Sequence, residues 1–261
     1  MLHDLKGWLR EALQSHANPD TKAWWENYVK GSAPFMGVKM PVIRDTLHQW
    51  HRQYVAPVLT MPAQLDLALS LFDELYTEEK LAGTLFLQEI LLPAGMLQPN
   101  RDGHRFAVLF AEGKIYDWNV CDWFCVKVLG PLIREEGMDW ARQIADWRDA
   151  ENLWQARASL VPFTKVAADR TYDLLVESSC KVLIRREERF AKTAVGWVLR
   201  EISRYDQAFV RGVIEANLDH FSAESLRNAT KYFAKEDRDA YRRRLADLRK
   251  PPTITPVNPV R

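Results

Sequence analysis

The segment Tyr116-Asp117-Trp118-Asn119-Val120-Cys121-Asp122-Trp123-Phe124-Cys125 sets a carboxylate among indoles, a phenyl ring and thiols. On a helix, Trp118 and Asp122 share a face one turn apart, with Cys125 a turn further on. An ionised Asp122 in such apolar company needs a partner for its charge. It can be a site carboxylate, an acid favoured by a helix N-terminus, or the partner of an arginine, and spacing alone leaves all three open. Lys192-Thr193-Ala194-Val195-Gly196-Trp197-Val198-Leu199-Arg200-Glu201 is the second notable segment. Gly196 weakens a helix interior, which points to close packing against another backbone, and Trp197 and Arg200 share a face. In the third, Asn152-Leu153-Trp154-Gln155-Ala156-Arg157-Ala158, Arg157 lies on a helix whose Ala156 and Leu160 face inward.

Other chemistries lack their signatures. The chain has no Gly-rich phosphate loop, no Gly-x-Ser-x-Gly elbow and no Cys-x-x-Cys pair. His48 and His51 share one helix and Cys121 and Cys125 are one turn apart, but neither pair has a second pair nearby. They read as surface histidines and core cysteines, and no metal or cofactor is expected.

The elements that position these residues are helical throughout. Leu5, Leu9 and Leu13 recur at intervals of four, Asn18-Pro19-Asp20 stops one helix and starts the next, and Trp24, Trp25 and Tyr28 follow. Pro41 falls in the first turn of a further helix. Thr77 to Lys80 make only a partial capping box. Later helices are expected at 105–112, 117–136, 140–147, 152–166, 169–183, 187–204, 207–217 and 222–248, and strand signals are nearly absent. The spacing predicts an all-α, HEAT-like helical-repeat solenoid of antiparallel helix pairs with a concave groove. Residues 1–250 are expected to form one domain, followed by a Pro-rich extended tail, 251–261.

The 261-residue chain has a formal net charge of +1 and ten tryptophans, some of which should face a groove or a partner. From Ala223 to Lys250, nine basic side chains stand against five acidic ones, a face that either holds phosphates or is simply solvated. Three cysteines are too few for a disulfide framework. With no signal peptide and no long apolar run, a cytoplasmic protein without a membrane span is expected.

Taken in order, these segments resemble the AlkD-type alkylpurine DNA glycosylases, a bacterial family built from HEAT-like repeats. The similarity runs from about Trp25 to about Tyr232. Its most specific stretch is Ala194 to Glu201, followed by the Trp118 to Asp122 helix and Leu153 to Arg157. Tyr28, followed by Phe35-Met36-Gly37-Val38-Lys39-Met40-Pro41, resembles the family's aromatic helix and its Gly-containing link.

By position, the resemblance implies Asp122 as catalytic carboxylate, Trp118 and Trp197 as active-site indoles, and Arg157 as groove arginine. It also implies Tyr28 as an aromatic contributed by the N-terminal helices and Arg200 as a phosphate contact. Many members carry Trp-Asp-x-Val-Asp, so Asn119 and Cys121 are departures from the pattern. The implied activity is hydrolysis of cationic alkylated purines, of the 3-methyladenine and 7-methylguanine type, from double-stranded DNA without enclosing a flipped base. The expected enzyme is a monomer without cofactor or metal, and Arg157, Arg200 and the C-terminal basic face are expected to touch phosphates. The alternative is a non-catalytic module binding DNA or a protein.

Overall fold

In the computed structural model, which describes residues 2–250, chain order is set by helix starts that the sequence supplies locally. Helix α1 (Leu2–Gln14) buries Leu5, Leu9 and Leu13. Asn18 then caps α2 (Pro19–Tyr28), its side chain accepting from the Thr21 N–H at 2.9 Å while Pro19 occupies the first turn. There follow α3 (Met40–Trp50), α4 (Met61–Ser70), α5 (Thr77–Phe86), α6 (Pro99–Ala111), α7 (Trp118–Phe124), α8 (Gly130–Glu136), α9 (Met138–Ala145) and α10 (Leu153–Ala158). The series closes with α11 (Asp173–Leu183), α12 (Arg189–Ile202), α13 (Gln207–Glu215), α14 (Ala223–Ala229) and α15 (Lys235–Leu248).

The helices form two rows. In one, α3, α5, α7, α10, α12 and α14 pack successively side by side; in the other, α6, α9, α11 and α13 do the same. This is the all-helical repeat arrangement expected from the spacing, and no strand occurs among the described residues. The repetition is also visible in the backbone. Helices α3, α5 and α7 each run on into a five-residue π-turn, at His51–Val55, Leu87–Leu91 and Cys125–Leu129. The π-turns recur roughly every forty residues, the period of such repeats. No helix among the described residues is long and apolar enough to cross a membrane.

Two glycines permit backbone-to-backbone contact. A Cβ on Gly196 would lie 2.6 Å from the Ser225 carbonyl oxygen, so α12 and α14 can approach this closely only with glycine there. Gly37 has φ +96°, and a Cβ there would stand 2.2 Å from the Asn18 carbonyl oxygen. Around Gly37 the buried carboxylate of Glu78 accepts from the N–H groups of Met36 (2.9 Å), Gly37 (2.8 Å) and Val38 (3.0 Å). Three charge-assisted bonds thus pin the link after α2 to the start of α5, fixing where α2 carries its aromatic rings.

Some boundaries differ from expectation. Helix α6 begins at Pro99 rather than near Arg105, because Asp102 Oδ2 accepts from the Gln98 N–H at 2.8 Å and closes the first turn upstream of Gly103. The expected single helix at 222–248 is broken between α14 and α15. There the Thr230 hydroxyl donates to the Leu226 carbonyl and Phe233 is buried in the bend. The helix expected over 152–166 stops at Ala158, and Pro162 opens a separate 3-10 turn. The Pro-rich tail, 251–261, lies outside the described residues.

Candidate active site

Asp117 starts the central element. Its Oδ1 accepts from the N–H groups of Asn119 (2.7 Å) and Val120 (3.1 Å), capping α7 so that Trp118 and Asp122 face the same way. Asp122 meets Arg157 from α10 in a two-point ion pair, with Nε to Oδ1 at 2.7 Å and Nη2 to Oδ2 at 2.9 Å. Arg157 Nη1 donates to the Phe190 carbonyl at 2.6 Å and reaches the Thr193 hydroxyl at 3.3 Å. Burial opposes the guanidinium's charge, but the Asp122 carboxylate more than offsets it, and the Arg157 pKa lies above its ordinary value. The Arg157 side chain is 5% exposed and that of Asp122 18%. The carboxylate therefore keeps an open side while the arginine behind it does not.

That open side faces a hollow of about 350 Å³ lined by Trp25, Tyr28, Trp118, Asn119, Asp122, Trp123, Val126, Lys127 and Trp197. Half-exposed Tyr28 meets the Trp118 ring edge-on, with centroids 5.2 Å apart. Arg157 sits 5.9 Å from the Trp197 ring and 5.9 Å from the Phe190 ring, stacking on the wall from within. Four residues singled out in the sequence, Tyr28, Trp118, Asp122 and Trp197, therefore converge from α2, α7 and α12.

Arg157 is not at the groove surface. With its side chain buried and bonded to Asp122, the Phe190 carbonyl and the Thr193 hydroxyl, it lies behind the carboxylate, where the resemblance implied a DNA-backbone contact. Arg200 lies one turn beyond Trp197 and outside the hollow's lining, where Glu201 Oε1 accepts from its Nε at 2.9 Å and its Nη2 at 2.6 Å. The C-terminal basic face opens as a separate cleft of about 600 Å³ between α14 and α15, lined by Arg227, Lys231, Arg238, Arg242 and Arg249 with no acidic side chain.

Trp25, Trp123 and Lys127 also line the hollow, although neither motif nor resemblance marks them. Trp25 stands three residues before Tyr28, and Lys127 lies one turn beyond Trp123 with its ammonium 5.4 Å from that ring. Both are helical spacings that could have been followed outward from Tyr28 and Asp122. Cys121 and Cys125 are buried, as expected, and so is Cys180. His48 contacts Glu89 and His51 contacts Gln64, each at hydrogen-bond distance. No cluster of three or more His, Cys, Asp or Glu able to hold a metal ion occurs among the described residues.

Comparison with known proteins gives two positive results. Residues 9–233 match the family model for DNA alkylation repair enzymes. The fold is similar to a solved structure from Enterococcus faecalis described as a predicted DNA alkylation repair enzyme. That likeness has a TM-score of 0.72 and 19% identity, and covers 84% of this chain and 98% of the other. No curated protein matches the sequence.

Proposed function

Because the chain belongs to the DNA alkylation repair enzyme family, we propose that it is a DNA glycosylase hydrolysing the N-glycosidic bond of cationic N3- or N7-alkylated purines in duplex DNA. The observation that carries this reading is Asp122, partly open to an aromatic hollow and gripped from behind by Arg157.

An alkylated purine with a positive charge is already a good leaving group, so protonating it is unnecessary. As the C1′–N bond breaks, its electron pair neutralises the base and positive charge passes to the deoxyribose, as in glycoside hydrolysis. Asp122 supplies fixed negative charge for that state. Arg157 occupies one lone pair on each oxygen, leaving others to accept from a water. The water oxygen attacks C1′, and its proton goes to the carboxylate or to solvent. Trp118, Trp197 and Tyr28 offer ring faces to the positive charge, each worth about 0.5–2 kcal/mol. An open hollow, rather than a closed pocket, suits action without enclosing the departing base. Lys231 and the arginines of the α14–α15 cleft would hold phosphates and position the duplex without reading its sequence.

The ion pair also favours a second reading, a non-catalytic DNA-binding module in which Asp122 only neutralises Arg157. The two readings separate with duplexes containing one 7-methylguanine or one uracil. A glycosylase of the proposed kind releases free 7-methylguanine and leaves the neutral uracil in place. Binding without release supports the module, and efficient uracil release would require a different mechanism.

A further inference from the structure

Lys127 shares the hollow with Asp122 but has no part in the reaction described above. It is half-buried and is the only cationic side chain in the lining. Its ammonium lies 5.4 Å from the centroid of the Trp123 ring, and it has no ion pair or hydrogen bond among the described residues.

The backbone sets Lys127 apart from its counterparts. It is the middle residue of the π-turn after α7, where the turns after α3 and α5 carry Gln53 and Glu89. Gln53 is exposed, and Glu89 is gripped by Arg44 and His48, each at 2.8 Å. Only the turn that follows Asp122 holds a cation at this position, and π-turns inside helices frequently mark functional sites.

Charge decides what Lys127 can take. An alkylated purine is cationic, and an ammonium repels it. A phosphate is anionic, and the negative ring faces of Trp118, Trp123 and Trp197 repel it in turn. Arg157 already grips Asp122 and the Phe190 carbonyl, so that pair offers no surplus positive charge. Lys127 is the one positive charge left in the lining. A nucleotide whose base stays outside the hollow turns its sugar–phosphate edge inward, with a phosphate only a few bonds from C1′. Asp122 and Lys127 lie about 7 Å apart along the helix axis, a separation that a sugar and its flanking phosphate can bridge.

We propose that Lys127 binds the phosphate flanking the alkylated nucleotide, turning C1′ toward Asp122 and the cationic base away from the ammonium. The proposal rests on the glycosylase reading for placing a sugar at Asp122.

The test uses a duplex with one tetrahydrofuran abasic residue, which has no base to release, so that affinity does not depend on catalysis. In matched duplexes a neutral methylphosphonate replaces the phosphate on the 5′ side of that residue, on its 3′ side, or several linkages away. Lys127→Met keeps the apolar stem over Trp123. It should weaken binding of the all-phosphate duplex roughly tenfold, the low end for a hydrogen bond to a charged group. It should also lower the salt slope by about 0.9, while Lys127→Arg keeps the parental slope. At one flanking linkage the methylphosphonate should weaken the parent by a similar factor and leave Lys127→Met unaffected. At the distant linkage the two losses should simply multiply. Losses that multiply at both flanking linkages, or a Lys127→Met variant that binds as the parent does, overturn the proposal. Release of 7-methylguanine, assayed separately, decides the glycosylase reading: a parent that shows the coupling but releases no base sinks that reading and leaves the phosphate contact standing.

Discussion

Replacing Arg157 with methionine removes the charge and all its bonds while keeping roughly the volume. The loss comprises the two-point pair to Asp122 and the bond to the Phe190 carbonyl, and it leaves a largely buried carboxylate unpartnered. Breaking such a pair from one side costs about 3–5 kcal/mol. For a chain this long each kcal/mol lowers Tm by about 2–4 °C, so Arg157→Met should melt roughly 6–20 °C below the parent.

The pair itself is isolated by a double-mutant cycle with Asp122→Asn, read from urea unfolding. The double variant should be more stable than the sum of single losses allows, with a coupling of about 1–3 kcal/mol. Additivity within about 0.5 kcal/mol would refute the idea that the two residues act as a unit. DNA binding supplies a second check. With Arg157 buried behind Asp122, Arg157→Lys should leave the slope of log affinity against log salt unchanged while slowing base release. A fall in slope of about 0.9 would show instead that Arg157 holds a phosphate.

Gly196→Ala should destabilise the protein by about 1–3 kcal/mol despite alanine's better helix propensity, because its Cβ meets the Ser225 backbone; an unchanged urea midpoint would contradict this. Arg238→Gln with Arg242→Gln in the α14–α15 cleft should lower the salt slope by about 2, whereas an unaltered slope would remove the cleft from the DNA path. Burial pushes the Cys121 and Cys180 thiols up, and Cys125 is buried beside Cys121, so none should react with a thiol reagent until the chain unfolds. Fast native labelling would show that the repeat rows open.

Much of the fold was legible because helix starts and apolar faces are local: Asn18-Pro19, Leu5-Leu9-Leu13 and Gly196 each state their own role. The break between α14 and α15 was not, since charged helices lack the apolar rhythm that marks an end. The π-turns after α3, α5 and α7 leave no mark in composition either. At the site, Trp118 and Asp122 could be paired from spacing, and Tyr28 and Trp197 were indicated by the family resemblance. What spacing cannot give is depth. Arg157 looked like a surface cation and lies behind the carboxylate, while Arg200 is engaged by its own neighbour Glu201. Asp117 reads as a helix cap, and only the folded chain shows that its second oxygen is buried without a hydrogen-bond partner.

The central claim is that Asp122 bears the negative charge required while a methylated purine departs. Single-turnover release of 7-methylguanine should fall by about a hundredfold or more in Asp122→Asn, as when a key charge-stabilising group is removed. Affinity for the same duplex should stay within a few-fold of the parent. Release at the parental rate by the asparagine variant, or no release by the parent itself, would contradict the account.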